Sequence, residues 1–193
     1  IIEAKKNGLP TIQGGHSMGS FTTQARLEKY PLAADKTLII GSNGGQGGLM
    51  SIAAVLAKML IHKSNWDKPN KFFTNLGLGG YNKQIKNPKT NFDWLSVNEE
   101  NVNKYINDEY CGGLFTASYF YDLLKLFKKI NKGFKNIPND LPIYLFSGDS
   151  DPVGNMGKGV EKLKNKYLQT GQKDVKLCMY KSYRHELLNE EIY

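Results

Sequence analysis

The segment Gly15-His16-Ser17-Met18-Gly19 sets a serine between two glycines at the spacing G-x-S-x-G. That spacing suits a serine on a sharp turn from a strand into a helix, where small flanking residues let the turn pass close to neighbouring backbone. The context agrees: Thr11 to Gln13 is an extended stretch, and a helix can run from the motif to about Tyr30, before Pro31. A serine hydroxyl is a poor nucleophile until an adjacent base takes its proton. The backbone N–H of Met18, at the helix start, would then face the oxyanion that develops on an attacked carbonyl. The plainer alternative for Ser17 is a helix N-cap after a glycine turn.

A base has to come from elsewhere, and the chain has three histidines. His16 adjoins Ser17, and the turn would point its side chain away. His62 ends an apolar helical stretch and suits a C-terminal cap near the negative end of the helix dipole. His185 follows a strand-like run and precedes a new helical segment, beyond a strand's carboxyl end, where α/β enzymes place catalytic groups. It is the candidate base. The third partner should be a carboxylate that orients the imidazole. Asp149 and Asp151 both lie in the loop Ser147 to Gly154, just past the β-type run Pro142 to Phe146. Spacing alone leaves the choice open, as it does the reading of a solvated Asp/Ser/Pro turn.

Other features carry less chemistry. The glycine-rich stretch 44–48 lacks the Lys-Ser/Thr of a phosphate loop and the spacing of a dinucleotide fingerprint, so it reads as a pocket rim. Phe115, Tyr119, Phe120 and Tyr121 could line an acyl channel, with Phe115, Phe120 and Tyr121 as the substrate-binding candidates; plain packing is the competing reading. Cys111 and Cys178 show no metal-ligand spacing and point to a reducing, cytoplasmic setting. No metal or organic cofactor is implied.

The elements that must position these residues follow from pattern. Lys36 to Ile40 is a β-type run, and Leu49 to His62 is a helix apolar almost all round. Residues 66–138 are rich in Asn, Lys and aromatics, with no good strand. There Ser96-Val97-Asn98-Glu99 fits a capping box opening a helix through Tyr105. Thr116 can cap a second helix, with apolar positions Phe120, Leu123, Leu124, Phe127 and Ile130 at helical spacing. A helix is expected over Gly159 to Leu168. Val175, Leu177 and Met179 alternate with Lys176, Cys178 and Tyr180 as a strand should. A last helix is expected from near Glu186. Strands alternating with helices predict an α/β fold with a mostly parallel sheet. The division is a core over 1–65 carrying the serine turn, an all-helical insertion over 66–138, and a core over 139–193 carrying the acid and the histidine.

The 193 residues are 40% hydrophobic and 23% charged, an ordinary globular composition, with a net charge of +8. The lysines are scattered or sit on polar helix faces, and no basic run is interleaved with aromatics as a nucleic-acid platform would need. Nucleic acid is therefore not expected as a partner; transient contact with an anionic membrane surface is compatible with the charge. No apolar run reaches the roughly 18 residues of a membrane span.

Taken together, these motifs resemble the α/β-hydrolases of the monoacylglycerol lipase and lysophospholipase type, sometimes grouped with serine aminopeptidases. Gly15-His16-Ser17-Met18-Gly19-Ser20 is similar to that family's nucleophile turn. Gly148-Asp149-Ser150-Asp151-Pro152-Val153 is similar to its G-x-x-D-x-V motif, which selects Asp151 as the acid. Tyr183 to Glu190 is similar to its histidine motif, and Phe92 to Ser96 to a stretch in the cap of bacterial members. The order Ser, Asp, His is the α/β-hydrolase order. The resemblance implies an α/β-hydrolase fold with residues 66–138 as a lid-like cap, a catalytic set of Ser17, Asp151 and His185, and an oxyanion donor at Met18. There are departures: Gln13 and Gly14 stand where the family's strand is apolar, and no early His-Gly motif supplies a second oxyanion donor. The nucleophile comes at residue 17, where the family has several strands before it, so the chain is expected to correspond to the C-terminal part of a longer enzyme and to lack its N-terminal strands.

The resulting expectation is a serine carboxylic-ester hydrolase acting on a monoacylglycerol, lysophospholipid or similar acyl ester. An aminopeptidase or amidase on the same triad is the alternative among enzymes, with Asp93, Glu99 or Glu100 available to meet a free α-amine. A non-catalytic fragment that folds only with a preceding segment is the alternative outside them.

Overall fold

The computed structural model describes residues 2–44, 65–130, 132 and 134–191. The glycine-rich loop beyond Gly44, the expected helix from Leu49 and His62 itself lie outside the described residues.

Four strands form one parallel sheet whose spatial order follows the chain: β1 (Ile12–His16), β2 (Lys36–Ile40), β3 (Ile143–Gly148) and β4 (Val175–Tyr180). The described helices are α1 (Ile2–Lys6), α2 (Met18–Lys29), α3 (Lys71–Leu78), α4 (Glu99–Asn107), α5 (Ala117–Lys129) and α6 (Lys158–Gln169). Parallel neighbours cannot be joined by a tight hairpin, so each link crosses over the sheet. α2 makes that crossing between β1 and β2, and α6 between β3 and β4.

Register decides which side chains meet. Ile39 pairs with Leu145, and Leu145 with Leu177. With period-two alternation these three share one face of the sheet. They pack in one cluster with Leu27 of α2 and Val160, Leu163 and Tyr167 of α6. Ile39, Leu145 and Leu163 have no exposed surface; burying such a side chain contributes about 1.5–3 kcal/mol. A second cluster joins Phe21 of α2 to Ile85, Trp94, Leu95, Ile130 and Val153. A third packs Phe73 of α3 on Ala117, Phe120 and Leu124 of α5.

Among the described residues between β2 and β3, the only strand-like pairing is an isolated bridge, Pro69 to Thr116. Thr116 caps α5, its hydroxyl accepting from the Tyr119 N–H at 3.1 Å. Three elements differ from the sequence expectation. β1 continues through Gly14, Gly15 and His16, because parallel pairing with β2 overrides the poor strand propensity of glycine. α4 starts at Glu99 with Asn98 as its cap, Oδ1 accepting from the Glu100 N–H at 2.8 Å. Ser96 instead accepts from the Asn98 N–H and donates to Glu190. The last helix is only a 3-10 turn, Leu187–Asn189.

Because all four strands are parallel, their carboxyl ends face the same side. Ser17 follows β1, Gly41 follows β2, Asp149 and Asp151 follow β3, and His185 comes after β4. The topology thus delivers every candidate catalytic group to one edge of the sheet.

Candidate active site

The turn after β1 is set by its glycine. A Cβ on Gly15 would run into the backbone carbonyl of Gly19 and the hydroxyl of Thr23, whereas a Cβ on Gly19 would meet open space. The first glycine of the motif is therefore the one that sterics require. Gly15→Ala is expected to destabilise the fold by about 3 kcal/mol or more, since the clash is with backbone and cannot relax by a rotamer change. Urea denaturation checks this; a midpoint equal to wild type would show that the turn tolerates a methyl group.

Ser17 itself has φ 54 and ψ −121, a conformation that non-glycine residues adopt only when their surroundings hold it. Its N–H donates to the Ile40 carbonyl at 3.1 Å, and its carbonyl accepts from the Ser20 N–H and Oγ. Its hydroxyl makes no capping bond to α2. Instead Ser17 Oγ lies 2.8 Å from His185 Nε2.

His185 is buried, and its Nδ1 lies 3.0 Å from Asp151 Oδ2. An ionised carboxylate can only accept, so Nδ1 carries the proton and Nε2 is left as the acceptor facing Ser17. Asp151 is fully buried and its second oxygen accepts from the Val153 N–H at 2.8 Å. Asp149 faces elsewhere: its Oδ1 accepts from the Ser182 N–H and the Ser150 hydroxyl. Geometry thus places Asp151, not Asp149, on the imidazole. Met18 is the first residue of α2, so its N–H belongs to the helix-end donors without an intrahelical partner.

Ser17 and His185 open on a cavity of about 500 Å³ with a mainly apolar wall. Phe115 and Phe120 line it, as do Tyr119, Leu123 and Phe127. Tyr121 does not. It sits beside Trp66, with the Lys125 ammonium over its ring. Tyr119, Phe120, Leu123, Leu124 and Phe127 fall on one stripe of α5, and at about 100° per residue Tyr121 lies beyond its edge.

Several wall residues were not anticipated. Trp94 lies against the His185 ring, with centroids 5.2 Å apart, and Tyr81 lies against Trp94 at 5.1 Å. Burial, with the Asp151 charge nearby, pushes the Tyr81 hydroxyl up to about 12, so it stays a neutral donor at physiological pH. His16 does not simply point away; its ring lies beside that of His185. Glu186 is a carboxylate in the cavity wall. The three acidic residues considered for an amine are elsewhere. Burial disfavours the charge of Asp93, but hydrogen bonds from Thr90 and Lys89 outweigh it and hold the carboxyl below its usual range. Glu99 pairs with Lys89 and Glu100 with Lys104. A motif-based reading could not find Glu186 or His16, because their roles depend on contacts across the fold.

Among the described residues, His16, His185 and Glu186 form the one group with metal-ligand types close together. Both ring nitrogens of His185 are already engaged, by Asp151 and Ser17. No described helix is long and apolar enough to cross a membrane. Cys111 and Cys178 are free thiols.

Solved structures share this fold. A highly thermostable carboxyl esterase from Bacillus coagulans, in complex with glycerol, superposes with a TM-score of 0.88 at 26% identity, covering 98% of this chain and 62% of that one. A monoacylglycerol lipase from Paleococcus ferrophilus gives 0.68 at 17% identity, covering 98% and 65%. A soluble variant of monoglyceride lipase from Saccharomyces cerevisiae, with a substrate analog, gives 0.64 at 16%, covering 97% and 58%. The chain thus spans roughly three fifths of the length of these relatives, and the last two bear on the fold alone. No curated protein matches the sequence. The family model described as serine aminopeptidase, S33, matches residues 1–192. With a parallel sheet of the α/β-hydrolase type and a family match over nearly its whole length, the chain belongs to the serine aminopeptidase, S33, family of α/β-hydrolases.

Proposed function

We propose that this chain carries the catalytic serine, acid and base of a carboxylic-ester hydrolase acting on a monoacylglycerol, a lysophospholipid or a similar acyl ester. The observation that carries the reading is the relay Asp151–His185–Ser17, at 3.0 and 2.8 Å, opening on an apolar cavity. Ser17 Oγ attacks the ester carbonyl carbon while His185 Nε2 takes its proton. Asp151 stabilises the imidazolium and fixes the ring. The negative charge on the carbonyl oxygen is met by the Met18 N–H. His185 then protonates the departing alcohol oxygen, leaving an acyl group on Ser17, and a water repeats the sequence to release the acid. No step calls for a metal or an organic cofactor.

Residues 66–138 act as a cap in this reading, holding the acyl chain rather than doing the chemistry. A fluorophosphonate probe, with the labelled residue located by mass spectrometry, tests the mechanism; the expected label is on Ser17. A panel of acyl glycerols, lysophospholipids and short esters, assayed with the full-length protein, tests the substrate class. No label and no ester turnover would refute the proposal. Within that panel, Phe120→Ala should shift chain-length preference by about tenfold or more between short and long acyl groups, since it enlarges the cavity wall. Tyr121→Ala should leave the profile as it was. Equal profiles for both variants and wild type would mean that the cavity does not hold the chain.

A second reading has one observation in its favour. Glu186, immediately after the base, is a carboxylate in the cavity wall that could meet the ammonium of an aminoacyl substrate. Turnover of aminoacyl p-nitroanilides above that of simple esters, lost in Glu186→Gln, would select it.

A further inference from the structure

His16 plays no part in the bond-making steps above, yet it is built against the base. Its Nε2 lies 3.0 Å from the backbone carbonyl oxygen of His185. A carbonyl only accepts, so His16 Nε2 carries a proton and donates it. The two imidazole rings are 4.8 Å apart between centroids, tilted by 41°. The next group along the same peptide unit, the Glu186 N–H, donates to the Leu95 carbonyl at 2.7 Å. The peptide that follows the Cα of His185 is thus gripped through both of its polar groups.

The space around this contact is closed by backbone. A Cβ on Gly41 would stand 3.0 Å from His185 Cε1 and 3.1 Å from His16 Nε2, and Gly41 has a φ of 55, which favours glycine in any case. His16 is itself anchored. It is the last residue of β1 and pairs with Ile40, whose carbonyl also accepts from the Ser17 N–H. Nucleophile and clamp are therefore consecutive residues on one fixed turn.

We propose that His16 is a positioning residue: it fastens the His185–Glu186 peptide to the nucleophile's own turn, so that the reach from His185 Nε2 to Ser17 Oγ is set within a single rigid unit. This rests on the roles proposed above for Ser17 and His185. Without the donor, the buried carbonyl of His185 is left unpaired and the ring is free to drift, and misplacement by about 1 Å costs on the order of 100-fold in rate. Binding of the acyl chain is untouched, since His16 does not line the cavity.

The test compares three variants of the full-length protein by steady-state ester kinetics, rate of fluorophosphonate labelling and thermal melting. His16→Phe keeps a ring against His185 but removes the donor; His16→Ala removes both; His16→Gln restores an N–H that can reach the carbonyl. The expected result for His16→Phe and His16→Ala is a kcat lower by about 10- to 100-fold with KM within about twofold, and slower labelling in proportion. His16→Gln should recover most of the lost kcat. A His16→Phe variant with kcat within twofold of wild type overturns the inference. So does a His16→Gln variant no better than His16→Phe, or a loss that appears in KM alone. A wild type that neither labels nor hydrolyses esters removes the functional reading and this inference with it, whereas an active wild type matched by His16→Phe removes only this inference.

Discussion

Ser17→Ala should abolish ester turnover almost completely, lowering kcat by roughly 10⁴- to 10⁶-fold. The size of the effect follows from the geometry. His185 Nε2 has one described partner, the hydroxyl of Ser17. Without that hydroxyl the base has no proton to take, and the remaining groups can only polarise a bound ester for attack by water. The fold should hardly notice. Ser17 makes its structural hydrogen bonds through backbone N–H and carbonyl, which alanine keeps. Alanine takes over the same positive φ that serine already tolerates, so the change in stability should stay within about 1 kcal/mol. Continuous ester hydrolysis alongside a melting curve separates the two quantities. A variant retaining a tenth of wild-type turnover would place the nucleophile elsewhere.

Two aspartates two residues apart should respond very differently to the same isosteric change. Asp151→Asn should lower kcat by about 10⁴-fold, because an amide in that place can stabilise the wrong tautomer of His185. With Nδ1 as acceptor, the ring would present a proton to Ser17 Oγ instead of a lone pair. Asp151 is fully buried, so water cannot take over the lost contact. Asp149→Asn keeps an oxygen for the Ser182 N–H and the Ser150 hydroxyl, and neither of these groups touches the imidazole. Its kcat should stay within about threefold of wild type, with a stability loss of about 1 kcal/mol. The ratio of the two kcat values is the measurement. Equal losses, or a larger loss for Asp149, would mean that the orienting carboxylate has been misplaced.

The parts of this molecule legible in its sequence are those decided by near neighbours. Lys36–Ile40 is β-branched and apolar and forms β2 with those bounds; Thr116 caps its helix as its type suggests. Alternation in Val175–Tyr180 matches a strand buried on one side at one end of the sheet. Where long-range pairing competes with local preference, the reading falters. Gly14 and Gly15 look like loop and are strand, because β2 holds them. Ser96 looks like a cap and is instead tied to Glu190, 94 residues away. The same division runs through the site. Ser17, Asp151 and His185 carry local motifs, and the fold brings them together. His16, Trp94 and Glu186 acquire their places only when the His185 loop meets β1 and the segment around Leu95, a contact that no window of sequence contains. Tyr121 fell to a finer error, one step around a helix.

The separation of 168 residues between Ser17 and His185, the proposed nucleophile and base, has a bearing on how the protein is made. A ribosome adding about 5–20 residues per second releases the serine turn roughly ten to thirty seconds before it releases the histidine. Through that interval the hydroxyl has no base and is no more reactive than any other alcohol. On the proposed mechanism, reactivity arrives only when β4 has docked and the loop carrying His185 has closed against Ser17. On the proposed roles, a nascent chain that has not yet extended past His185 has no base for Ser17 and cannot attack esters in its surroundings.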